Sequence, residues 1–382
     1  MTAKLAPPRA PRSPAQLARY TRHLSLPGVG VEGQERIANA KVLVVGAGGL
    51  GSPIASYLIA AGIGQLSVID PDTVELSNLQ RQTVHRETDQ GQLKVASVRR
   101  LADELNSEVS VRLYAQRLDA SNALELFAEH DVVIDGSDNF ATRYLSNDAA
   151  ELTRTPLVWG TIFQYSGQVS VFDPRVGPML RDIFPDLPEA DSVPSCAEGG
   201  VFGALCGVIG SLMATEALKL ITGVGKPLSG KLWLYDALDA SVRILTFARD
   251  PYRAAVTELG EYAVASCAVS DSAQELDASE FELLRANQEV LVLDVRQGWE
   301  RELAVIPGSV HLPLERLANE GWREIERYSA TETVIVCKTG VRSLRAATEL
   351  NEALPEGRAR VRSLRGGTLG WLAEIHHEIV TY

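Results

Sequence analysis

The run Lys41-Val-Leu-Val-Val-Gly-Ala-Gly-Gly-Leu-Gly51 defines the first structural unit of this 382-residue chain. Its apolar half, residues 41–45, is typical of a strand in a parallel sheet that is covered on both faces. Its second half fits Gly-x-Gly-x-x-Gly, a turn that lets the backbone at a helix N-terminus approach a phosphate. A further strand over 65–69 ends in Asp70. The pattern predicts a nucleotide-binding βαβ unit, with Asp70 placed to accept hydrogen bonds from ribose hydroxyls.

Polar side chains that follow this unit help to distinguish an ATP-splitting enzyme from an NAD-dependent oxidoreductase. Residues 72–82 read Asp-Thr-Val-Glu-Leu-Ser-Asn-Leu-Gln-Arg-Gln, Lys94 follows on the next predicted helix, and Asp138-Asn139 ends another strand. Hydride transfer needs a flat pocket for nicotinamide. Splitting ATP needs cations against the phosphates and a carboxylate that can hold Mg²⁺. The pattern favours ATP, and an NAD-dependent oxidoreductase stays open as an alternative.

Composition limits the class of protein. A chain of this length with 45% hydrophobic residues should form two or more domains. The net charge of −12 argues against nucleic acid or an anionic membrane as the main partner. The apolar run 201–215 is shorter than the ~20 residues that span a bilayer, so we predict a buried helix. The four cysteines form no Cys-x-x-Cys pair, which indicates a reducing, cytoplasmic setting; they are Cys196, Cys206, Cys267 and Cys337.

Changes in pattern along the chain suggest its organisation. Residues 157–171 and 231–247 are predicted to form antiparallel strands around the buried helix. The proline-rich stretch 178–194 has no periodicity and is predicted to be a mobile loop or lid. The predicted boundaries are a disordered tail over 1–14, a nucleotide-binding α/β domain over 15–250, a linker over 251–277 and a smaller α/β domain over 278–382.

A second candidate site lies at Cys337-Lys338-Thr339-Gly340-Val341-Arg342, between an apolar strand and a helix. Backbone N–H groups of this loop, together with Arg342, would stabilise a thiolate and then a persulfide anion on Cys337. A cysteine phosphatase loop places five residues between its cysteine and arginine in order to surround a phosphate. This loop places four, which suits a single sulfur. An inactive loop that serves only for docking is the alternative.

About residues 15–250 resemble the MoeB/ThiF family, relatives of the ubiquitin-activating enzymes. The matching motifs are Tyr20-x-Arg22, Gly46-x-Gly-Gly-x-Gly51, Ser77-Asn-Leu-Gln-Arg-Gln82, Gly91-x-x-Lys94, Ser137-Asp-Asn139 and Ser195-Cys-Ala-Glu-Gly-Gly200. The resemblance implies a Rossmann-like fold with added antiparallel strands. It also implies that MgATP adenylates the C-terminal glycine of a ubiquitin-like sulfur carrier protein ending in Gly-Gly.

The resemblance also implies roles for single residues. Asp70 would hold the ribose, and Asp138 would position Mg²⁺. Arg22 would reach the neighbouring subunit's site, which implies a homodimer. Asn78, Arg81 and Lys94 would face the phosphates. The whole predicted nucleotide-binding set is Gly46, Gly48, Gly49, Gly51, Asp70, Asp72, Ser77, Asn78, Arg81, Lys94, Asp138 and Asn139.

The other three cysteines have different predicted roles. Ser195-x-x-Glu198 fits a capping box, which would place Cys196 in the first turn of a helix, where the dipole favours a thiolate. The family's matching cysteine can form a covalent link to the carrier; a small semi-buried residue is the alternative. Cys206, inside the apolar helix, is predicted to be core. Cys267 is predicted to be incidental, with a sulfur relay as its alternative.

One feature departs from the family. Many members bind a structural zinc through two Cys-x-x-Cys pairs. The first pair should fall near Met179 and Asp182, and the second near Arg253 and Val256, so all four ligands are absent. We therefore expect no zinc, with packing in its place and a less tethered loop over 178–194.

The C-terminal part, about residues 278–382, resembles a rhodanese domain through Asp294-Val-Arg296, Ile306-Pro-Gly308, the Cys337 loop and Gly366-Gly367. The domain order resembles the fused MoeB–rhodanese enzymes, the molybdopterin synthase sulfurylases. This implies that a Cys337 persulfide, charged by a cysteine desulfurase or by thiosulfate, converts the adenylated carrier to a thiocarboxylate. The alternatives are carrier activation for protein conjugation and a non-catalytic scaffold. Molybdopterin, thiamine, cysteine, tRNA thiolation and thio-natural products all stay open as pathways.

Overall fold

The computed structural model divides into two compact units, residues 1–266 and 267–382. The structure describes residues 13–188, 200–260, 262, 275–320, 322–325, 332–352 and 361–377. Five predictions therefore fall wholly or partly outside the described residues, one of them the linker over 251–277. The other four concern most of the N-terminal tail, the end of the loop over 178–194, Cys196 with its capping box, and Cys267.

An eight-stranded sheet in the order β3-β2-β1-β4-β5-β6-β7-β8 forms the centre of the first unit. Its first five strands are parallel, and β6 to β8 continue the sheet antiparallel. Strands β2 and β3 are added on one side of β1, and β4 and β5 on the other. Sheets of this kind bind ligands at the point where the strand order reverses, which here lies beside β1. The strands are β1 (Lys41–Val45), β2 (Gln65–Ile69), β3 (Ser110–Tyr114), β4 (Val132–Asp135), β5 (Leu157–Phe163), β6 (Ser166–Phe172), β7 (Lys231–Asp236) and β8 (Ser241–Thr246).

Helices cover both faces of this sheet. Val42 and Val44 of β1 belong to one apolar cluster, whereas Leu43 and Val45 belong to another, as side-chain alternation along a strand requires. The first cluster includes side chains of α4, α5 and α8, and the second those of α6 and α7. The described helices are α1 (Pro14–Arg19), α2 (Thr21–Leu24), α3 (Gly30–Asn39), α4 (Gly51–Ala61), α5 (Lys94–Leu105), α6 (Ala123–Ala128), α7 (Phe140–Thr153) and α8 (Gly203–Thr222).

The apolar helix is longer than the sequence pattern indicated. Helix α8 has 20 residues, and it is long and apolar enough by length and composition to cross a membrane. The predicted buried helix is confirmed, although its helical residues extend past the uncharged run as far as Thr222. Eleven of its residues are buried, and Ile209 and Met213 lie in the cluster beneath the sheet. Burial against other elements identifies α8 as a core helix.

The described part of the predicted loop, residues 178–188, is tied to the rest of the unit, which differs from the expectation of few tethers. Met179 is fully buried. Arg181 forms two hydrogen bonds of 2.7 Å with Asp148 on α7. The Tyr144 hydroxyl on the same helix donates to the carbonyl of Asp186 at 2.5 Å and lies 3.1 Å from that of Phe184. These contacts hold the segment against α7.

The second unit is a five-stranded parallel sheet in the order β11-β10-β12-β13-β9. Both faces of the sheet carry apolar clusters. The strands are β9 (Glu275–Leu276), β10 (Val290–Asp294), β11 (Val310–His311), β12 (Glu332–Val336) and β13 (Val361–Leu364). The described helices are α9 (Ala278–Asn287), α10 (Gly298–Leu303), α11 (Leu314–Glu320), α12 (Trp322–Ile325), α13 (Val341–Glu352) and α14 (Gly367–Trp371). The predicted fold class, with added antiparallel strands in the first unit and a smaller α/β second unit, is confirmed.

Candidate active sites

Three positions of the glycine turn after β1 require glycine, because a side chain would be strained or would collide there. Gly46 has φ of 92°, a conformation that favours glycine. A Cβ at Gly51 would collide with the carbonyl oxygen of Gly46, so the start of α4 can lie directly on the turn. A Cβ at Gly49 would meet Cys206 of α8 at 2.8 Å. The buried Cys206 thus packs behind the turn, as its predicted core role requires.

A cavity of about 240 Å³ opens at the carboxyl ends of the parallel strands, beside this turn. It brings together nine of the predicted nucleotide-binding residues, namely Gly46, Gly48, Gly49, Asp70, Asp72, Arg81, Lys94, Asp138 and Asn139. The lining includes four cationic side chains, Arg81, Lys94, Arg117 and Arg143, and three carboxylates. Four cations around one cavity suit a polyphosphate better than a nicotinamide ring.

Asp70 is held by backbone groups at the end of β2. One carboxylate oxygen accepts from Ala47 N at 2.7 Å, and the other accepts from Asp72 N at 2.8 Å. Burial raises the pKa of Asp70, although these two N–H groups and Lys94 act in the opposite direction. Each carboxylate oxygen can accept a second hydrogen bond, so Asp70 can also bind ribose hydroxyls.

Lys94 enters the cavity from the first residue of α5. Its ammonium lies 3.0 Å from a carboxylate oxygen of Asp72. The Lys94 side chain is 9% exposed, whereas that of Asp72 is 60% exposed. Asp72 therefore contacts the buried ammonium of Lys94 from the solvent-exposed side. The ammonium remains in the lining of the cavity.

Four predicted residues do not line the cavity. Gly51 acts through the packing of α4 on the turn. The exposed Ser77 donates to Glu75. Asn78 accepts from Glu75 N at 3.1 Å and so caps a short 3₁₀ helix. Arg22 is exposed on α2 and is not among the lining residues.

Three of the lining residues outside the predicted set have long polar or cationic side chains, namely Gln82, Arg117 and Arg143. Gln82 is buried, and its Oε1 accepts no hydrogen bond from the described residues. Arg117 follows β3, at the same edge of the sheet. Arg143 on α7 is buried and lies 5.2 Å above the ring of Phe140. The position of Arg143 four residues after the strand-end Asn139 is the signal that could have identified it.

Asp138 and Asn139 have different parts at the start of α7. Asn139 is the N-cap, and its side chain accepts from Thr142 N at 2.8 Å. Asp138 is an exposed carboxylate that lines the cavity. Within the described ranges no group of three His, Cys, Asp or Glu side chains could hold a metal ion. A single lining carboxylate still fits Mg²⁺, which is commonly held by one carboxylate together with substrate phosphates.

The four positions at which zinc ligands were absent lie on two segments that contact each other. Met179 is in the core. Asp182, whose side chain is fully buried, accepts from Arg253 Nε at 2.8 Å. Arg253 also lies 3.1 Å from a carboxylate oxygen of Glu151 on α7. Val256 is half-buried. An ion pair and a core side chain therefore join the two segments.

The Cys337 loop begins where β12 ends. Cys337 is 1% exposed, and Gly340 N donates to its sulfur at 3.2 Å. Gly340 has φ of 97°, which turns its N–H toward the sulfur side of the loop. The Ser343 hydroxyl lies 3.4 Å from the same sulfur. The loop therefore directs one backbone N–H and one hydroxyl at Cys337.

Arg342 is oriented by a carboxylate that the sequence analysis did not select. Its two Nη atoms donate to Glu300 at 3.0 and 2.6 Å. Glu300 also accepts from Gln297 N at 2.8 Å and is buried. Although burial raises it, hydrogen bonds from Arg342 and Gln297 N bring the net pKa of Glu300 below its usual value. Glu300 and Arg342 thus form an ion pair beside the Cys337 loop.

Comparison with known proteins gives two family matches. The ThiF family matches residues 20–254, and the rhodanese-like domain matches residues 277–374. A probable adenylyltransferase/sulfurtransferase MoeZ from Mycobacterium tuberculosis is 41% identical, over 99% of this chain and 98% of its own. A sulfur carrier protein adenylyltransferase from Thermus thermophilus is 52% identical, over 62% and 89%. Adenylyltransferase and sulfurtransferase MOCS3 from Sus scrofa is 38% identical, over 97% and 88%.

Solved structures are also similar in fold. A crystal structure of Escherichia coli MccB with ATP superposes with a TM-score of 0.56 at 22% identity and covers 62% of this chain and 74% of its own. Another, of MccB with MccA-N7isoASN, has a TM-score of 0.57, also at 22% identity, and covers 64% and 75%. At this identity the likeness is one of fold alone.

Proposed function

Because this chain belongs to the ThiF family and carries a rhodanese-like domain, and is thereby an adenylyltransferase and sulfurtransferase, we propose that it adenylates a ubiquitin-like sulfur carrier protein at its C-terminal glycine and converts the product to a thiocarboxylate. One observation carries the proposal. The same chain holds a cation-lined nucleotide cavity and a buried cysteine whose sulfur accepts from a loop N–H. The Thermus thermophilus relative, named for activity on a sulfur carrier protein, supports the choice of substrate.

The first step is attack of the carrier's terminal carboxylate on the α-phosphate of ATP, with release of pyrophosphate. Asp70 would bind the ribose hydroxyls. Lys94 and Arg81 would offset charge on the phosphates, and Asp138 would hold Mg²⁺ against them. No general base is needed, because a carboxylate is already ionised at neutral pH. MccB, whose structure with ATP shares this fold, supports ATP as the nucleotide.

A protein substrate also needs a surface on which to dock. The rings of Tyr235 and Trp233 on β7 are stacked, with their centroids 5.5 Å apart. On the neighbouring strand β8, Val242 pairs with Tyr235 and Ile244 pairs with Trp233. Val242 and Ile244 are 49% and 53% exposed although β8 is a strand of the sheet. Contiguous exposed apolar side chains mark protein-binding surfaces. We assign the carrier's globular part to this β7–β8 face.

Arg22 is proposed to serve the neighbouring subunit of a homodimer. It is exposed on α2 and is absent from the lining of its own subunit's cavity. A cation supplied by a partner would add to the four already present around the phosphates. We also propose that the enzyme acts in the cytoplasm, because its few, unpaired cysteines suit a reducing compartment.

The second step is sulfur transfer. A cysteine desulfurase or thiosulfate charges Cys337 with a second sulfur, and this outer sulfur attacks the acyl carbon of the adenylated carrier. A carbon–sulfur bond forms and AMP leaves with its oxygen. A thiol then attacks the Cys337 sulfur, the sulfur–sulfur bond breaks, and its electron pair leaves with the thiocarboxylate. The thiol and Cys337 are left as a disulfide, which a further thiol reduces. Cys196, which lies outside the described residues, is the thiol proposed for this part of the reaction.

The test is the intact mass of a Gly-Gly-ended carrier after incubation with ATP and a sulfur donor. The expected product is heavier by the replacement of one oxygen with sulfur. Cys337→Ala should abolish this gain but keep ATP–pyrophosphate exchange, and Cys206→Ala is the matched control at a buried core cysteine. Full thiocarboxylate formation by Cys337→Ala with a protein donor would refute the sulfur step. Carrier attached to another protein would instead favour conjugation.

A further inference from the structure

Two buried serine hydroxyls form a chain that ends at the Cys337 sulfur. Ser343, in the first turn of α13, has its Oγ 3.4 Å from the sulfur. Ser363, on β13, donates to Ser343 Oγ at 2.9 Å. Both serines are 0% exposed and the cysteine is 1% exposed, so water does not compete for these bonds. The three residues come from three different elements of the second unit.

The direction of this chain follows from counting hydrogens. Ser343 Oγ accepts from Ser363, so its own hydrogen must go to another acceptor. Two acceptors are within reach, the carbonyl of Gly340 at 3.0 Å and the sulfur of Cys337. A neutral thiol is a weak acceptor, whereas hydrogen bonds to an ionised group are about twice as strong as neutral ones. The Ser343 hydrogen should therefore turn to the sulfur whenever the sulfur is charged.

We propose that Ser343, oriented by Ser363, is a positioning residue that stabilises negative charge on the Cys337 sulfur during sulfur transfer. The proposal rests on the sulfurtransferase step proposed above. When the persulfide is discharged to a nucleophilic acceptor such as cyanide, the acceptor's electron pair forms a bond to its outer sulfur. The sulfur–sulfur bond breaks, and its electron pair stays on the Cys337 sulfur as a thiolate. Nothing is oxidised or reduced beyond this exchange, and the acceptor is the nucleophile itself.

Other stabilisation of this charge is limited by the site's geometry. The sulfur is too buried for solvation by bulk water, and Arg342 shares its charge with Glu300 through two hydrogen bonds. Gly340 N and the Ser343 hydroxyl are donors that the described part of this unit places on the sulfur. Removal of the hydroxyl should slow the steps that form or use the thiolate.

The test compares Ser343→Ala with the wild type in the full chain. One measurement is the rate at which iodoacetamide alkylates Cys337 at neutral pH, followed by the mass of the Cys337 peptide. The other is single-turnover transfer from the Cys337 persulfide to cyanide, followed as thiocyanate. Both rates should fall about tenfold, the effect of one lost hydrogen bond to a charged group. ATP–pyrophosphate exchange should stay unchanged.

Two variants separate this role from packing. Ser343→Thr keeps the hydroxyl and should restore most of both rates, whereas Ser363→Ala removes only the orienting donor and should give an intermediate loss. Wild-type alkylation by Ser343→Ala would overturn the proposal, as would equal loss in the alanine and threonine variants. Because alkylation requires no carrier, a tenfold alkylation effect in a protein that makes no thiocarboxylate would contradict the proposed function and uphold the role of Ser343.

Discussion

Replacing Arg253 with methionine should destabilise the first unit markedly, because Arg253 neutralises a buried carboxylate. The Asp182 side chain is 0% exposed and accepts from Arg253 Nε at 2.8 Å. It also accepts from Met179 N at 2.6 Å and from Asp250 N at 3.1 Å. Methionine keeps the length of the arginine stem but removes its charge. Asp182 would then be left ionised and buried with two backbone N–H groups alone.

The size of the effect follows from these contacts. Breaking a buried ion pair by removing one partner costs about 3–5 kcal/mol. The two remaining backbone hydrogen bonds place Arg253→Met at the low end, about 3 kcal/mol. For a unit of this size, 1 kcal/mol corresponds to about 2–4 °C, so its melting temperature should fall by about 6–12 °C. Asp182→Asn combined with Arg253→Met should lose less than Arg253→Met alone, because no buried charge is left behind.

Differential scanning calorimetry of the full chain provides the measurement, with the first unit's transition identified as the one that ATP raises. Arg86→Met is the matched control, because Arg86 and Glu104 form an ion pair with side chains 56% and 47% exposed. Such a pair contributes about 0–1 kcal/mol. The reasoning fails if Arg253→Met lowers the transition no further than Arg86→Met. One zinc per purified chain, or a wild-type transition lowered by EDTA, would contradict the view that this ion pair stands in place of zinc.

Three further predictions concern the two sites. Lys94→Met should slow ATP–pyrophosphate exchange about 100-fold by removing a cation from the phosphates, with Cys337 alkylation unchanged; exchange at the wild-type rate would contradict that assignment. Gly51→Ala should fail to fold, because its Cβ would collide with a backbone oxygen of the turn, whereas Gly48→Ala should melt like the wild type and lose ATP affinity in titration calorimetry. Ionised Glu300 should stabilise the second unit above pH 4.5, with that stability lost as the pH falls through its lowered folded-state pKa. Urea unfolding of Glu300→Gln should therefore show a shallower loss below pH 4.5, and an unchanged slope would refute the role of this carboxylate.

Features that depend on neighbouring residues could be predicted from the amino-acid sequence. The glycine turn after β1 and the Cys337 loop follow from apolar runs, glycine positions and spacing within a few residues. The parallel pairing of β1 with β2 follows from the βαβ pattern, and the polar residues at strand ends converge because parallel strands end at one edge. Asn78 is an exception, since its side chain satisfies a local cap instead of facing the cavity.

Pairings between distant positions required the folded chain. Asp182 and Arg253 are 71 residues apart, and Glu300 and Arg342 are 42 apart. No local pattern marks such partners, because their proximity depends on how loops from separate strands meet. The chemistry that the chain can perform was therefore present in short motifs. Only the tertiary structure decided which charged side chains are buried, which are exposed and which form ion pairs. The physical reason is that burial and partners distant in sequence set the energy of a charged group.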